Sequence, residues 1–440
     1  MKKNIITKND VLEHINEVLK TSSYAVLHGY RKFHKGISSD VDVIGTKITF
    51  KLLQELSLKG NLRLVQLIRY ELNSYAWIFQ IKPVKQTPEF LLFDLSMDIR
   101  GFGTIFYEAN DLLKSQSLFW NSYPIIAVKQ EFTLYVIKKI CKSEISEEHS
   151  NYLNSLYVQD PKGCNNELRK FFTQNTSSKL CNSAATENWQ AITKRINWIK
   201  FELFTISLFM HPIRFLSFSF CEIWRIVDRI LHPTGLIVSF LGLDGSGKSS
   251  IINSINIDLG DVFHYQQSFH LKPSFGKKQN SIPVIDPHGD TPRFWFISIL
   301  KLLYWWLIYI LGWLTRVYPA KIKKSLISFD RFYHDLLVDP RRYRFKNPKK
   351  IAFLIEKVIP KPDLFIYLDL PAEIAHRRKP EIPIEEAKAL RNKYLCLAHK
   401  QGDQAHIVDA SEPLDQVVSE VEGIILDYIQ KRTISRLHRL

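Results

Sequence analysis

The run Gly242-Leu243-Asp244-Gly245-Ser246-Gly247-Lys248-Ser249 fits GxxxxGK[ST] at every position. Glycines at 242, 245 and 247 let backbone N–H groups converge on phosphate oxygens at the positive end of a following helix. Lys248 then reaches the β and γ phosphates and the Ser249 hydroxyl ligates Mg²⁺. Asp244, Ser246 and Ser250 fall in the same loop and helix start. The cofactors expected from this motif are ATP and Mg²⁺. A second carboxylate, Asp330, ends the apolar run Leu326–Phe329 and could hold the ion or its waters. Arg331 follows it and could clamp an anionic acceptor or the transferred group. Arg377 and Arg378 are a further basic pair.

The N-terminal part carries a weaker constellation. His28-Gly29-Tyr30 is followed by Asp40-Val41-Asp42. Carboxylates at i and i+2 of a strand project to one side and can share a divalent ion, and Asp94 in Phe90–Leu95 could complete the clamp. The expected metal ligands are therefore Ser249 and Asp330 in one site, and Asp40, Asp42 and Asp94 in another.

These residues need elements to hold them. Leu236–Leu241 reads as a buried strand and Ser250–Leu259 as the helix after the loop. Asp330 ends another strand, and Asp363–Asp369 is a third, ahead of a helix with the arginine pair. In a parallel sheet all three would end at the phosphate edge. Upstream, Ala25–Gly29, Val41–Ile44 and Phe90–Leu95 read as short strands, with helix from about residue 125. Thr173–Asn188 is polar and reads as a linker. Trp198–Leu231 is apolar with Lys200, Arg214, Arg225 and Arg229 interspersed. It reads equally as an interfacial helix beside a membrane and as a helix packed between domains. Phe294–Leu314 is apolar but interrupted by Lys301, and is expected to be a buried helix of the C-terminal core.

The 440 residues predict more than one domain: 1–170, a connecting segment 171–234 and 235–440. With 45% hydrophobic and 12% aromatic residues the chain can build packed cores. A formal charge of +16 favours anionic partners without choosing among nucleotides, sugar phosphates, nucleic acid and an anionic membrane. Nucleic acid is the least expected, since no recognised binding motif is present. Five scattered cysteines without a CxxC pair predict neither a disulfide framework nor a zinc site. The segment MKKNIITKNDVLEHINEVLK reads as an amphipathic helix rather than a signal peptide, so a cytoplasmic location, with contact to a membrane through 198–231, is expected. A homodimer is among the expected assemblies.

The C-terminal half resembles the thymidylate kinase family. The matching pieces are GLDGSGKSS, FDRF at Phe329–Phe332, PDLFIYLDLPAEIAHRRK at Pro362–Lys379 and IVDAS at Ile407–Ser411. The resemblance implies an α/β P-loop kinase with a parallel sheet flanked by helices. It places the acceptor phosphate near Asp330-Arg331, Asp244 beside the acceptor's sugar, and Asp409–Ser411 near the adenine. It also implies a basic lid in which Arg377 and Arg378 neutralise transition-state charge. The Ala-Tyr-Gln segment that helps hold thymine in the family is replaced by Tyr333–Arg344, and His270–Pro273 with Asp286-Pro287-His288 replaces the usual Glu-Pro-Gly phrase. That form resembles the thymidylate-kinase-like proteins of bacterial polysaccharide gene clusters, which implies a sugar or glycan acceptor. The first 160 residues resemble the minimal nucleotidyltransferase fold, an α+β domain, with Tyr30 where a serine is expected. The function expected is an ATP- and Mg²⁺-dependent phosphotransferase acting on a small acceptor, a nucleotide or a sugar. The alternative is a nucleotide-gated regulatory or scaffold protein.

Overall fold

The computed structural model describes residues 7–36, 40–60, 62–81, 87–114, 118–210, 212–273, 294–345 and 349–439. The Asp286-Pro287-His288 phrase lies outside them. The chain divides into two compact units. The first comprises 1–82, 89–228 and 432–440, and the second 83–88 and 229–431.

The first unit is α+β. Its five-stranded sheet is built from β1 (Tyr24–Val26), β2 (Val41–Gly45), β3 (Arg63–Glu71), β4 (Ser74–Ile81) and β5 (Glu89–Ser96), in the order β1-β2-β5-β4-β3. The β2–β5 pair is parallel and the others antiparallel, so Asp42 and Asp94 stand opposite each other on neighbouring strands. Two hairpins follow, β6 (Asp98–Gly101) with β7 (Thr104–Glu108), and β8 (Phe119–Trp120) with β9 (Tyr123–Pro124). One hydrophobic cluster joins the sheet to the helix Lys8–Leu19, which Thr7 caps, through Val11, Ile15, Trp77 and Phe93. A second gathers Phe132, Ile137, Leu153, Leu168 and Leu180 from successive helices.

The polar segment expected to be a linker is part of that second cluster. Gln174–Ala185 is a helix capped by Thr173, and it buries Leu180, Cys181 and Ala184. Three small or apolar residues at i, i+1 and i+4 suffice to seat one face, although the window as a whole is polar. The next helix, Gln190–Met210, buries Ile192, Ile196, Ile199 and Leu203 on one stripe.

The second unit is α/β. β10 (Leu236–Gly242), β11 (Tyr265–His270), β12 (Ser325–Asp330), β13 (Leu364–Asp369) and β14 (Ala405–Asp409) form an all-parallel sheet in the order β11-β12-β10-β13-β14. β10 is central and buried along its whole length, which suits its run of apolar residues. The helix Trp295–Gly312 corrects one expectation. It buries Ser298, Leu302, Trp305, Tyr309 and Gly312, yet leaves Trp295, Leu300, Tyr304 and Leu311 exposed. It is apolar on both faces, and only one faces the core.

Candidate active site

β10 ends at Gly242, where the chain must turn beneath β13. Gly242 has φ +146°, and a Cβ there would stand 2.5 Å from the Leu368 carbonyl oxygen, so no side chain fits. The loop then runs through Gly245 to Gly247, both left-handed, and Lys248 opens the helix Lys248–Asp258. Lys248 is buried. Its Nζ donates to the carbonyls of Gly242 (3.0 Å) and Leu243 (2.8 Å) and to Ser246 Oγ (3.3 Å). Burial lowers its pKa, with Arg331 adding to the effect. Ser249 Oγ donates to Asp330 Oδ2 at 2.8 Å, so the hydroxyl and the carboxylate that suit a magnesium ion already face each other. The glycine cradle, the lysine and this pair fit a nucleotide triphosphate with its metal. Ser250 takes the helix's third position and is exposed.

Parallel β12 places Asp330 at the same sheet edge as the loop, and Arg331 turns out of the strand with φ +72°. Arg331 pairs with Asp244, and so does Arg342 from the far side. Burial opposes ionisation of Asp244, but Arg331, Lys248 and Arg342 hold its carboxyl well below the usual carboxylate range. Behind them Asp335 is buried, accepts from the hydroxyls of Tyr343 and Tyr394, and stands 3.9 Å from Arg331. Arg331 is therefore locked between two carboxylates, its charge retained despite burial.

The helix Ala372–Arg378 follows β13 and leans over the loop. Arg378 Nη1 donates to the Gly245 carbonyl at 3.3 Å, whereas Arg377 is exposed with no polar partner among the described residues. The cavity bounded by Asp244, Arg331, Arg342, Lys379 and Tyr394 is small, about 30 Å³. At the end of β14, Asp409 is held by the amide and hydroxyl of Ser411, at 2.9 and 2.6 Å. Sequence reasoning missed Arg342, Asp335 and Tyr394 as site residues. Arg342 sits in the conspicuous Arg-Arg-Tyr-Arg run, but Tyr394 comes from the middle of the helix Ile384–Gln401 and carries no local signal.

The N-terminal aspartates do not form the expected clamp. Asp40 is exposed, ahead of β2. Asp42 accepts from Lys138 Nζ at 2.9 Å, with His28 Nε2 at 3.1 Å, so a lysine ammonium stands where a divalent ion was expected. Asp94 is the register neighbour of Asp42. Among the described residues no group of three or more His, Cys, Asp or Glu could hold a metal ion. The i, i+2 spacing aligns two side chains only when both lie in the strand, and β2 begins at Val41.

Comparison with known proteins agrees with the C-terminal geometry. No family model matches. A probable thymidylate kinase of Archaeoglobus fulgidus is 31% identical over 202 residues, covering 96% of that protein and 44% of this chain. The chain belongs to the thymidylate kinase family. A thymidylate kinase of Limosilactobacillus reuteri is 26% identical over 220 residues, again 96% of that protein and 44% of this chain. A solved thymidylate kinase from Ehrlichia chaffeensis aligns with 44% of this chain at 14% identity and TM-score 0.32. The kinase relatives thus account for less than half of the chain, which carries a further unit of its own.

Proposed function

We propose that the protein is an ATP- and Mg²⁺-dependent phosphotransferase whose acceptor is a nucleotide or a sugar-based compound other than thymidylate. The observation that carries this reading is the chain Lys248–Asp244–Arg331 with Arg342, closed behind by Asp335. A loop that only binds nucleotide has no use for two arginines gathered on its own Asp244, where a second, anionic substrate could engage them. When bound, Mg²⁺ would supply charge neutralisation at the phosphates, with Ser249 and Asp330 as its protein ligands. Lys248 orients the phosphates. Arg331, fixed by Asp244 and Asp335, holds the acceptor's anionic or hydroxyl group in line, and Arg378 and Arg377 cover the nucleotide side. Arg342 comes from the stretch that replaces the thymine-holding segment, which is the reason to look beyond thymidylate. Incubating the pure protein with labelled ATP and nucleoside monophosphates, sugars and lipid-linked glycans tests this. Transfer to a member of the set other than thymidylate is expected; efficient conversion of thymidylate to its diphosphate would overturn it.

For the first unit we propose a nucleotidyltransferase-like fold without the three-aspartate metal site. The parallel β2–β5 neighbours and the His28-Gly29 turn support the likeness.

One observation also favours peripheral membrane contact through 198–231. In the helix Pro212–Leu231 the apolar stripe points outward: Ile213 is 82% exposed, and Leu216, Phe220, Ile223 and Trp224 are also exposed. Glu222 and Arg225 instead pair with each other at 2.7 Å on a more buried side. A basic chain with such a stripe suits an anionic bilayer surface. Flotation with phosphatidylglycerol vesicles should carry the protein upward, and Leu216→Glu with Trp224→Glu should abolish it. If the stripe instead seats a second copy, the double variant shifts the size-exclusion profile and leaves flotation unchanged.

A further inference from the structure

The first unit contains a pocket of about 450 Å³, a size suited to a small metabolite. His28, Lys32, Tyr135, Lys139, His149 and Tyr152 line it. Lys138 and Lys139 leave the helix Val128–Lys142 together at its edge. Lys138 is matched: its Nζ donates to Asp42 and to His28 Nε2, each at 2.9 Å. Lys139 is not. It is buried, and its Nζ lies 2.7 Å from His149 Nε2 and 4.9 Å from the centroid of the Tyr135 ring. Among the described residues no carboxylate pairs with it. Burial drives the His28 pKa down to about 4 and lowers those of His149 and Lys139, with neighbouring lysines adding to each. Both imidazoles are therefore neutral near pH 7; His28 Nε2 accepts from Lys138, whereas His149 Nδ1 already accepts from the Ser146 amide at 3.2 Å, so its Nε2 carries the proton and offers Lys139 no lone pair. Glu144 and Glu148 oppose the Lys139 shift from a distance, but neither pairs with the ammonium, so a buried cation facing a neutral ring and an aromatic face has no contacting counter-charge to offset its desolvation.

We propose that this pocket binds a phosphate monoester without a divalent ion, its phosphate on Lys139 and Lys32 and its organic part beside the Tyr135 and Tyr152 rings. Three features point to that class. The lining carries an excess of positive charge, since Lys32 is opposed only by the exposed Glu148, at 2.8 Å. Metal is unnecessary, because the Asp42 charge is already matched by Lys138. The Tyr135 and Tyr152 rings, 4.8 Å apart, offer flat apolar surface for a sugar or base.

Calorimetric titration of the full chain tests this, with Lys248→Ala present to weaken the kinase loop and EDTA to remove metal. The probes are inorganic phosphate, ribose 5-phosphate and AMP, with succinate as a dicarboxylate control. One equivalent of a phosphate ester per chain is expected, and AMP against ribose 5-phosphate tells a nucleotide from a sugar phosphate. Lys139→Met should weaken binding about tenfold or more, the loss of one charge-assisted contact. Lys32→Glu, on an exposed residue that cannot disturb the core, should weaken it several-fold and decides the matter if Lys139→Met fails to fold. Affinity unchanged in Lys32→Glu, equal affinity for succinate, or a requirement for Mg²⁺ would each overturn the proposal.

Discussion

At the residue scale, the proposed function assigns Lys248 to the nucleotide and Arg342 to the acceptor, and two variants test that division. With Lys248 as the proposed point charge for the β and γ phosphates, Lys248→Ala should abolish transfer and weaken ATP binding by roughly 1.5–3 kcal/mol, with a larger effect on kcat. Wild-type turnover in that variant would remove the kinase reading. Arg342 pairs with Asp244 of the phosphate loop, and in the proposed function it belongs to the acceptor side. Arg342→Ala should raise KM for the acceptor at least tenfold and leave ATP affinity within about twofold, since one charged contact is lost on one side only. A fall in ATP affinity with an unchanged acceptor KM would reverse that assignment. The sequence displayed Lys248, Ser249, Asp330 and Arg331 because motif and strand end are contiguous. It hid Asp335 and Tyr394, whose pairing depends on a helix 59 residues away.

At the element scale, the phosphate loop and the short helix after β13 are mutually constrained. Gly242 approaches the Leu368 carbonyl across the β10–β13 pair, and backbone cannot yield as a flexible side chain can. Gly242→Ala should therefore cost about 2 kcal/mol or more and lower Tm by several degrees, read by thermal denaturation. Smaller losses would mean that the β10–β13 pair tolerates a shift. Ala375 and Arg378 of the helix Ala372–Arg378, with Lys379 after it, pack about the position of a Gly245 Cβ, at 3.2–3.5 Å. On the proposed reading this segment is a lid that closes over the nucleotide. Trypsin cleavage after Arg377 or Arg378 should slow several-fold on adding a non-hydrolysable ATP analogue with Mg²⁺. Equal cleavage with and without nucleotide would exclude such a lid.

At the scale of the whole molecule, pH reads out groups buried in one ionisation state. Glu422 is buried, and burial with the nearby Asp258 raises its pKa from 4.5 to about 8. The folded protein binds that proton more tightly than the unfolded chain. Its stabilising effect is complete below about 4.5 and is lost as pH rises through about 8. His28 has the opposite sense: its pKa is lowered from 6.5 to about 4, so stability falls as pH drops from 6.5 towards 4. Tm should be highest between these flanks. Glu422→Gln should raise Tm at pH 9 relative to wild type while changing it little at pH 5. An equal change at both pH values would show that the carboxyl does not titrate on unfolding.

The sequence by itself determined β10, β12 and β13 and the phosphate loop, because these are written in local signals; the parallel sheet as a whole was implied by the family resemblance, and the exposed, polar β11 carries no apolar run. An uninterrupted apolar run makes a central strand, and glycines mark where backbone must approach backbone. It was also enough to find β1, β2 and β5. It did not separate β3 and β4, whose residues are buried on both faces and so lack a period-two alternation. What only the tertiary structure decided is which charges meet. Asp42 was legible as a carboxylate in a strand, but Lys138, 96 residues away, turns it from a metal ligand into half of an ion pair. The same holds for the polar stretch around Leu180, which a neighbouring helical core converts from linker to packed helix. Electrostatic energy depends on distance in space, and hydrophobic burial on what covers a face. Neither is carried by the spacing of residues along the chain.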